Sequence, residues 1–130
     1  MIKIATVIAF LLLAVQLKSI GQKQPVPIRG TWITNTASDA MKSKKNIRQA
    51  IQLCKESGIN NVFVVVWNNG ETMYPSKVVE EYVGIKQSAV YGAMDPIKEF
   101  VKEGHKAGIK VHAWFEFGFS MLMKTAILPG

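Results

Sequence analysis

The stretch Asn61-Val62-Phe63-Val64-Val65-Val66-Trp67-Asn68 has no polar residue between its two asparagines. A strand with one solvated face alternates apolar and polar side chains. A run that is apolar on both faces belongs instead to a parallel sheet covered by helices. The flanking sequence supplies such helices. Ser43 is placed to cap one that runs through Glu56, with Ile47, Ala50, Ile51 and Cys54 on one face and Gly58 at its end. Asp95-Pro96 opens another with an N-cap and a proline at the first helical position. Ile97, Phe100, Val101 and Gly104 repeat the apolar stripe there, and Gly108 ends it.

Two further strands bracket these elements. Arg29 to Thr34 reads as a short strand with Trp32 and Ile33 as its bulk, and Val111 to Phe117 reads as a strand that closes on Glu116 among aromatic rings. Both helix-to-strand joints have the same form, Ser57-Gly58-Ile59 and Ala107-Gly108-Ile109, a weak internal repeat of an αβ unit. The segment from Asn69 to Met94 is too long for a simple turn and is a candidate functional loop. The pattern is therefore α/β, with two successive right-handed crossovers. It leaves open a doubly wound sheet or a (β/α)8 barrel.

The amino terminus has a different character. Met1-Ile2-Lys3 is a short positive start, Ile4 to Val15 is apolar apart from Thr6, and Ser19-Ile20-Gly21 puts small residues at both positions a signal peptidase reads. A cleaved signal peptide over residues 1–21 is expected, with a polar lead-in over residues 22–28. Gln16 and Lys18 close the apolar run well short of the ~20 residues a bilayer span needs, so no stable membrane span is expected after cleavage. The expected location is outside the cytoplasm, periplasmic or secreted, in a bacterium.

Cleavage would lower the formal charge from +7 to +5. The remaining excess centres on Lys42, Lys44, Lys45 and Arg48, which read as a solvated helix face rather than a nucleic-acid site. Cys54 is the only cysteine, which excludes an internal disulfide and a cysteine zinc cluster. No metal-ligand spacing, glycine-rich phosphate loop or serine nucleophile elbow occurs, so no cofactor is expected.

The visible chemistry sits at strand carboxyl ends, the working face of either architecture. Those ends hold Asn35 with Ser38 and Asp39 nearby, then Trp67-Asn68, then Trp114 and Glu116. Flat rings stack on the apolar face of a pyranose while amides and carboxylates bond its hydroxyls. The tryptophans also suit a core, and the asparagines suit turns that bond their own backbone. Glu116 between Phe115 and Phe117 must be paired or used, because an isolated charge in apolar surroundings is costly. His105 lies near a helix end and reads as surface. His112 shares a strand face with Trp114 and Glu116 and reads as a satisfied core residue.

Four collinear segments carry a resemblance: Arg29-Gly30-Thr31-Trp32-Ile33-Thr34-Asn35; Asn61 through Asn68; Thr72-Met73-Tyr74-Pro75-Ser76; and Asp95-Pro96 through Trp114-Phe115-Glu116-Phe117-Gly118-Phe119. Together they resemble the amino-terminal part of the glycosyl hydrolase-like 10 family of exported bacterial proteins. The resemblance implies the first three strands and two helices of an incomplete (β/α)8 TIM barrel, occupying residues 29–120. It implies a polysaccharide or cell-wall glycan as substrate, with Asn35, Asp39, Trp67, Asn68, Tyr74, Trp114 and Glu116 lining the groove. It also implies that the catalytic acids lie on later strands outside this chain, so the catalytic residues stay unassigned.

Residues 121–130 depart from the family pattern. Their back-translation, regrouped by one base, yields polar and aromatic residues closer to it. The expectation is a frameshifted tail and a truncated hydrolase, inactive alone. The alternative is a non-catalytic exported protein that binds glycans with the same aromatic face.

Overall fold

The computed structural model describes residues 25–117. The expected signal peptide, the first residues of the lead-in and the tail from Gly118 onward lie outside the described residues. Strand β1 (Gly30–Ile33) is followed by helix α1 (Lys44–Glu56) and strand β2 (Asn61–Asn68). A two-residue strand β3 (Glu71–Thr72), helix α2 (Lys77–Val83) and one 3₁₀ turn (Ala89–Tyr91) follow. Helix α3 (Pro96–Ala107) then leads into strand β4 (Lys110–Phe115). The described residues thus form a mixed α/β unit with one sheet and three α-helices.

β2 is the centre of the sheet. β1 pairs with it in parallel from Gly30↔Asn61 to Ile33↔Val64, and β4 pairs in parallel on the other side from Asn61↔Lys110 onward. β1 is short, and β3 returns antiparallel against the end of β2, with Trp67 opposite Thr72 and Asn68 opposite Glu71. Successive carbonyls of a strand point to opposite edges. Accordingly the Val66 oxygen accepts from the Met73 N–H at 3.0 Å on the β3 side, and the Trp67 oxygen accepts from the Glu116 N–H at 3.0 Å on the β4 side.

The helix signals act as their chemistry dictates. The Ser43 hydroxyl accepts from the Asn46 N–H at 3.1 Å, and the Asp95 carboxylate accepts from the Lys98 N–H at 2.9 Å. Gly58 and Gly108 take positive φ, of 71° and 76°, where the chain leaves each helix for its strand. Replacing Ser43 with alanine should cost about 1 kcal/mol. In a urea titration the midpoint should fall with an unchanged slope.

α1 and α3 lie together on one face of the sheet. Met41, Ile47, Ile51, Cys54, Val62, Val64, Phe100 and Ile109 form the buried core, with Ile33 and Val111 packed against it. Burial pushes the Cys54 thiol above its ordinary pKa, so it stays a protonated core thiol at neutral pH. One residue of the expected α3 stripe differs. Val101 is exposed, and the buried face is made by Pro96, Phe100 and Gly104, with the aliphatic part of Glu99 beside them.

The segment from Asn69 to Met94 is organised rather than open. Asn69 and Gly70 have φ of 53° and 78°, the paired positive angles of a two-residue hairpin turn. Beyond the hairpin, the Ser88 N–H donates to the Thr72 oxygen at 2.9 Å. The Gln87 side-chain amide donates to the Met94 oxygen at 2.8 Å, fastening the far end of the segment.

Candidate functional site

Pleating separates the sheet into two environments. Ile33, Val62, Val64 and Val111 face the helices, and alternation sends Trp32, Phe63, His112 and Trp114 to the opposite face. There the rings of neighbouring strands stack in register. Trp32 lies on Phe63 with centroids 5.1 Å apart, and Phe63 lies on His112 at 4.9 Å. Trp114 meets Trp32 edge to face at 6.0 Å. The His112 Nε2 is 2.8 Å from the Asn61 Oδ1. Asn61 uses its own amide nitrogen to donate to Asn60, so the His112 ring nitrogen is the donor. Trp32 and Trp114 remain 59% and 43% exposed on this face, whereas Val65, the β2 partner of Trp114, is buried.

At the carboxyl end of the strands a second, smaller cluster forms. The Asn68 amide nitrogen donates to the Asn35 Oδ1 at 3.0 Å, tying the end of β2 to the residues just past β1. Trp67 is buried, and its backbone oxygen receives the Glu116 N–H at 3.0 Å. Two buried polar atoms here have no hydrogen-bond partner, the Trp67 Nε1 and the Asn68 Oδ1. The register of β2 against β4 also slips at this point, between Val65 and Trp67. Such a bulge bends a strand and re-aims the side chains beyond it.

Of the seven residues expected to line a groove, the structure joins Asn35 to Asn68 by their side chains, and pairs Trp67 with Glu116 through their backbones alone. Trp114 belongs to the aromatic face. Asp39 stands on the exposed loop after β1, its carboxylate 2.6 Å from the Lys42 Nζ and its backbone oxygen receiving the Asn46 side-chain amide at 2.8 Å. These bonds order the approach to α1. Tyr74 is half-buried just past β3, and no hydrogen bond joins it to the cluster among the described residues.

Glu116 differs from its sequence reading in surroundings. β4 ends at Phe115, Phe117 takes a left-handed φ of 57°, and its ring is 77% exposed. The expected apolar enclosure around the carboxylate is thus not built by the described residues. Glu116 is half-buried, without a charged partner among them. Sequence reading missed the Asn69-Gly70 turn that closes over the end of β2, although Asn-Gly beside an apolar run is a strong hairpin signal. It also missed Gln87, for which the sequence holds no local signal.

Chemically, these strand ends carry one indole, an amide pair fixed by its own bond, and one carboxylate. That is equipment for gripping hydroxyl groups. Glycoside hydrolysis commonly uses two carboxyl groups flanking the bond to be cut, and the cluster supplies one. No group of three or more His, Cys, Asp or Glu among the described residues is placed to hold a metal ion. No helix among them is long and apolar enough to cross a membrane.

Comparison with known proteins bears on the same segment. Proteins named glycosyl hydrolase DigH, from Escherichia coli (strain K12) and from Shigella flexneri, are each 30% identical to this chain over 114 residues. The matches cover 72% of this chain and 25% of those proteins, so the chain spans about a quarter of the length of the curated relatives it matches. The family model described as glycosyl hydrolase-like 10 matches residues 27–127, from the lead-in through every described strand and helix. The chain belongs to the glycosyl hydrolase-like 10 family.

Proposed function

We propose that this chain is the amino-terminal part of a (β/α)8 barrel that acts on a polysaccharide or cell-wall glycan. The observation that carries the reading is the Asn35–Asn68 side-chain bond, with Trp67 and Glu116 paired through their backbones beside it. It lies at the carboxyl ends of parallel strands, where barrel enzymes bind substrate. Family membership supports the glycan. β1, β2 and β4 are neighbours in chain order, joined through α1 and α3, which supports the barrel. In this reading the catalytic acids lie on later strands, so the chain alone binds glycan without cleaving it. Residues 1–21 direct export to the periplasm or the medium and are removed.

Binding and cleavage are separable by experiment. Isothermal titration of the chain with soluble oligosaccharides should give a measurable affinity, while a reducing-end assay on the same mixtures should show no release. Glu116→Gln should weaken binding about tenfold or more, the usual loss when a charged hydrogen-bond partner becomes neutral. Release of reducing ends by the chain alone would place the acids within it and overturn the assignment to later strands. Binding by the full relatives' barrel with no hydrolysis would favour the non-catalytic glycan-binding alternative. Amino-terminal sequencing of exported protein should begin at Gln22.

A further inference from the structure

We propose that Glu71, Asn68 and Glu116 form a row of hydrogen-bond acceptors that takes the ammonium group of an amino sugar. The inference rests on the glycan reading above and names the class of sugar that the strand ends prefer. The row follows from the pairing of three strands. Asn68 stands opposite Glu71 in the antiparallel pair of β2 with β3, and directly opposed residues share a face. On the other side of β2, Trp67 pairs with Phe115, and the Glu116 N–H donates to the Trp67 oxygen at 3.0 Å. Alternation therefore sends Trp67 and Phe115 to one face, and Asn68 and Glu116 to the other. Glu71, Asn68 and Glu116 thus lie side by side across β3, β2 and β4. With neighbouring strands about 4.8 Å apart, the two glutamate backbones stand about 10 Å apart with Asn68 between them. Trp114, earlier on β4, shares that face and is 43% exposed.

The groups left over in this row all accept. Asn68 is 3% exposed, and its side-chain oxygen has no partner. Its nitrogen donates to Asn35, just past β1, at 3.0 Å, which turns the oxygen away from that side. A buried polar atom left unbonded calls for a reason. Both glutamates are half-buried, and neither carboxylate has an ion pair or a hydrogen bond among the described residues. Ionised carboxylates and an amide oxygen accept only. An ammonium is their complement, because it donates only and carries the opposite charge. A neutral hydroxyl would leave both carboxylate charges unmatched, and a phosphate would be repelled. Calcium takes about six to eight oxygens, more than these three groups supply. The Trp114 ring offers an apolar surface on which the pyranose can lie. In the ligand-free chain the Asn68 oxygen is closed off from solvent, so binding includes a side-chain shift at the strand end.

The test titrates the full chain with glucosamine tetraose, chitotetraose and cellotetraose in slightly acidic buffer of low ionic strength. These sugars differ chiefly at one substituent, which is an ammonium, an acetamide or a hydroxyl. The formal charge of the chain is +7, so its overall field opposes the cationic sugar, and a preference for that sugar reports a local site. Isothermal titration should show glucosamine tetraose binding roughly tenfold or more tighter than either neutral tetrasaccharide, the worth of a charged hydrogen bond. Glu71→Gln keeps the shape and removes the charge, and should cut that preference about tenfold. Glu71→Asp keeps the charge and should retain most of it. The preference should also shrink as salt is raised. Equal affinity for the three sugars would overturn this proposal and spare the glycan reading. A preference that survives in a chain carrying both Glu71→Gln and Glu116→Gln would overturn the assignment to this row. Absence of binding to any of the three would overturn both the proposal and the glycan reading.

Discussion

Phe100→Ala is expected to abolish the cooperative unfolding transition of the chain. Phe100 is fully buried on α3 and belongs to the core with Ile47, Ile51, Val62 and Val64, so it joins both helices to the central strand. Truncating a buried phenylalanine costs about 3–5 kcal/mol, the lost transfer energy plus the cavity left behind. Small domains are stable by only about 5–15 kcal/mol, and one with a single-sided core sits low in that range. The deletion therefore removes most or all of the margin. Circular dichroism should show a broad, non-cooperative melt for Phe100→Ala and a recovered sigmoid for Phe100→Leu, which refills most of the volume. A sharp melt within a few degrees of the parent would show that the core is held elsewhere.

Gly104→Ala should destabilise the protein even though alanine is the better helix former. In an exposed helix the change gains about 1 kcal/mol. Gly104, however, packs directly against β4. A Cβ there would stand 2.5 Å from the Cγ2 of Val111, 3.4 Å from the Ile109 oxygen and 3.8 Å from the Ile51 Cδ1. Val111 is β-branched, stiff at χ1 and paired to Val62, so it cannot swing clear. Overpacking of this kind costs about 1–3 kcal/mol, which outweighs the propensity gain. Val111→Ala should be destabilising alone yet relieve the clash in combination. The double-mutant cycle should therefore show a favourable coupling of about 1 kcal/mol or more. A higher melting temperature for Gly104→Ala would mean that the helix and strand can separate at little cost.

The elements read correctly from sequence are those whose signals are local. Ser43 and Asp95 announce α1 and α3 because each caps a backbone N–H three residues on, and Gly58 and Gly108 end them because positive φ is needed there. The two-faced apolar run of β2 needed only its own composition. What stayed hidden depends on partners distant in the chain. α2 is only seven residues long and buries none of them, so the apolar pair spacing of Val78, Val79, Tyr82 and Val83 was too short to read as a helix, and the Ser76 cap marks its start. β3 is two residues long, below the length at which alternation can be seen. The three tryptophans look alike in sequence, yet Trp67 is buried while Trp32 and Trp114 are open, because the outcome depends on what lies across each face. The Asn35–Asn68 bond spans 33 residues, so only the pairing of β1 with β2 could reveal it.

The edge-to-face contact of Trp32 with Trp114 has an optical consequence. The two indoles belong to β1 and β4, the outer strands on either side of β2, and come within 6.0 Å only when both strands are docked. Their planes are inclined at 85°, so their electronic transitions couple without being parallel, the condition for an exciton signal in circular dichroism. Assembly of the three parallel strands thus carries its own spectroscopic marker. The chain can report the closing of its sheet without a label, separately from the formation of its helices.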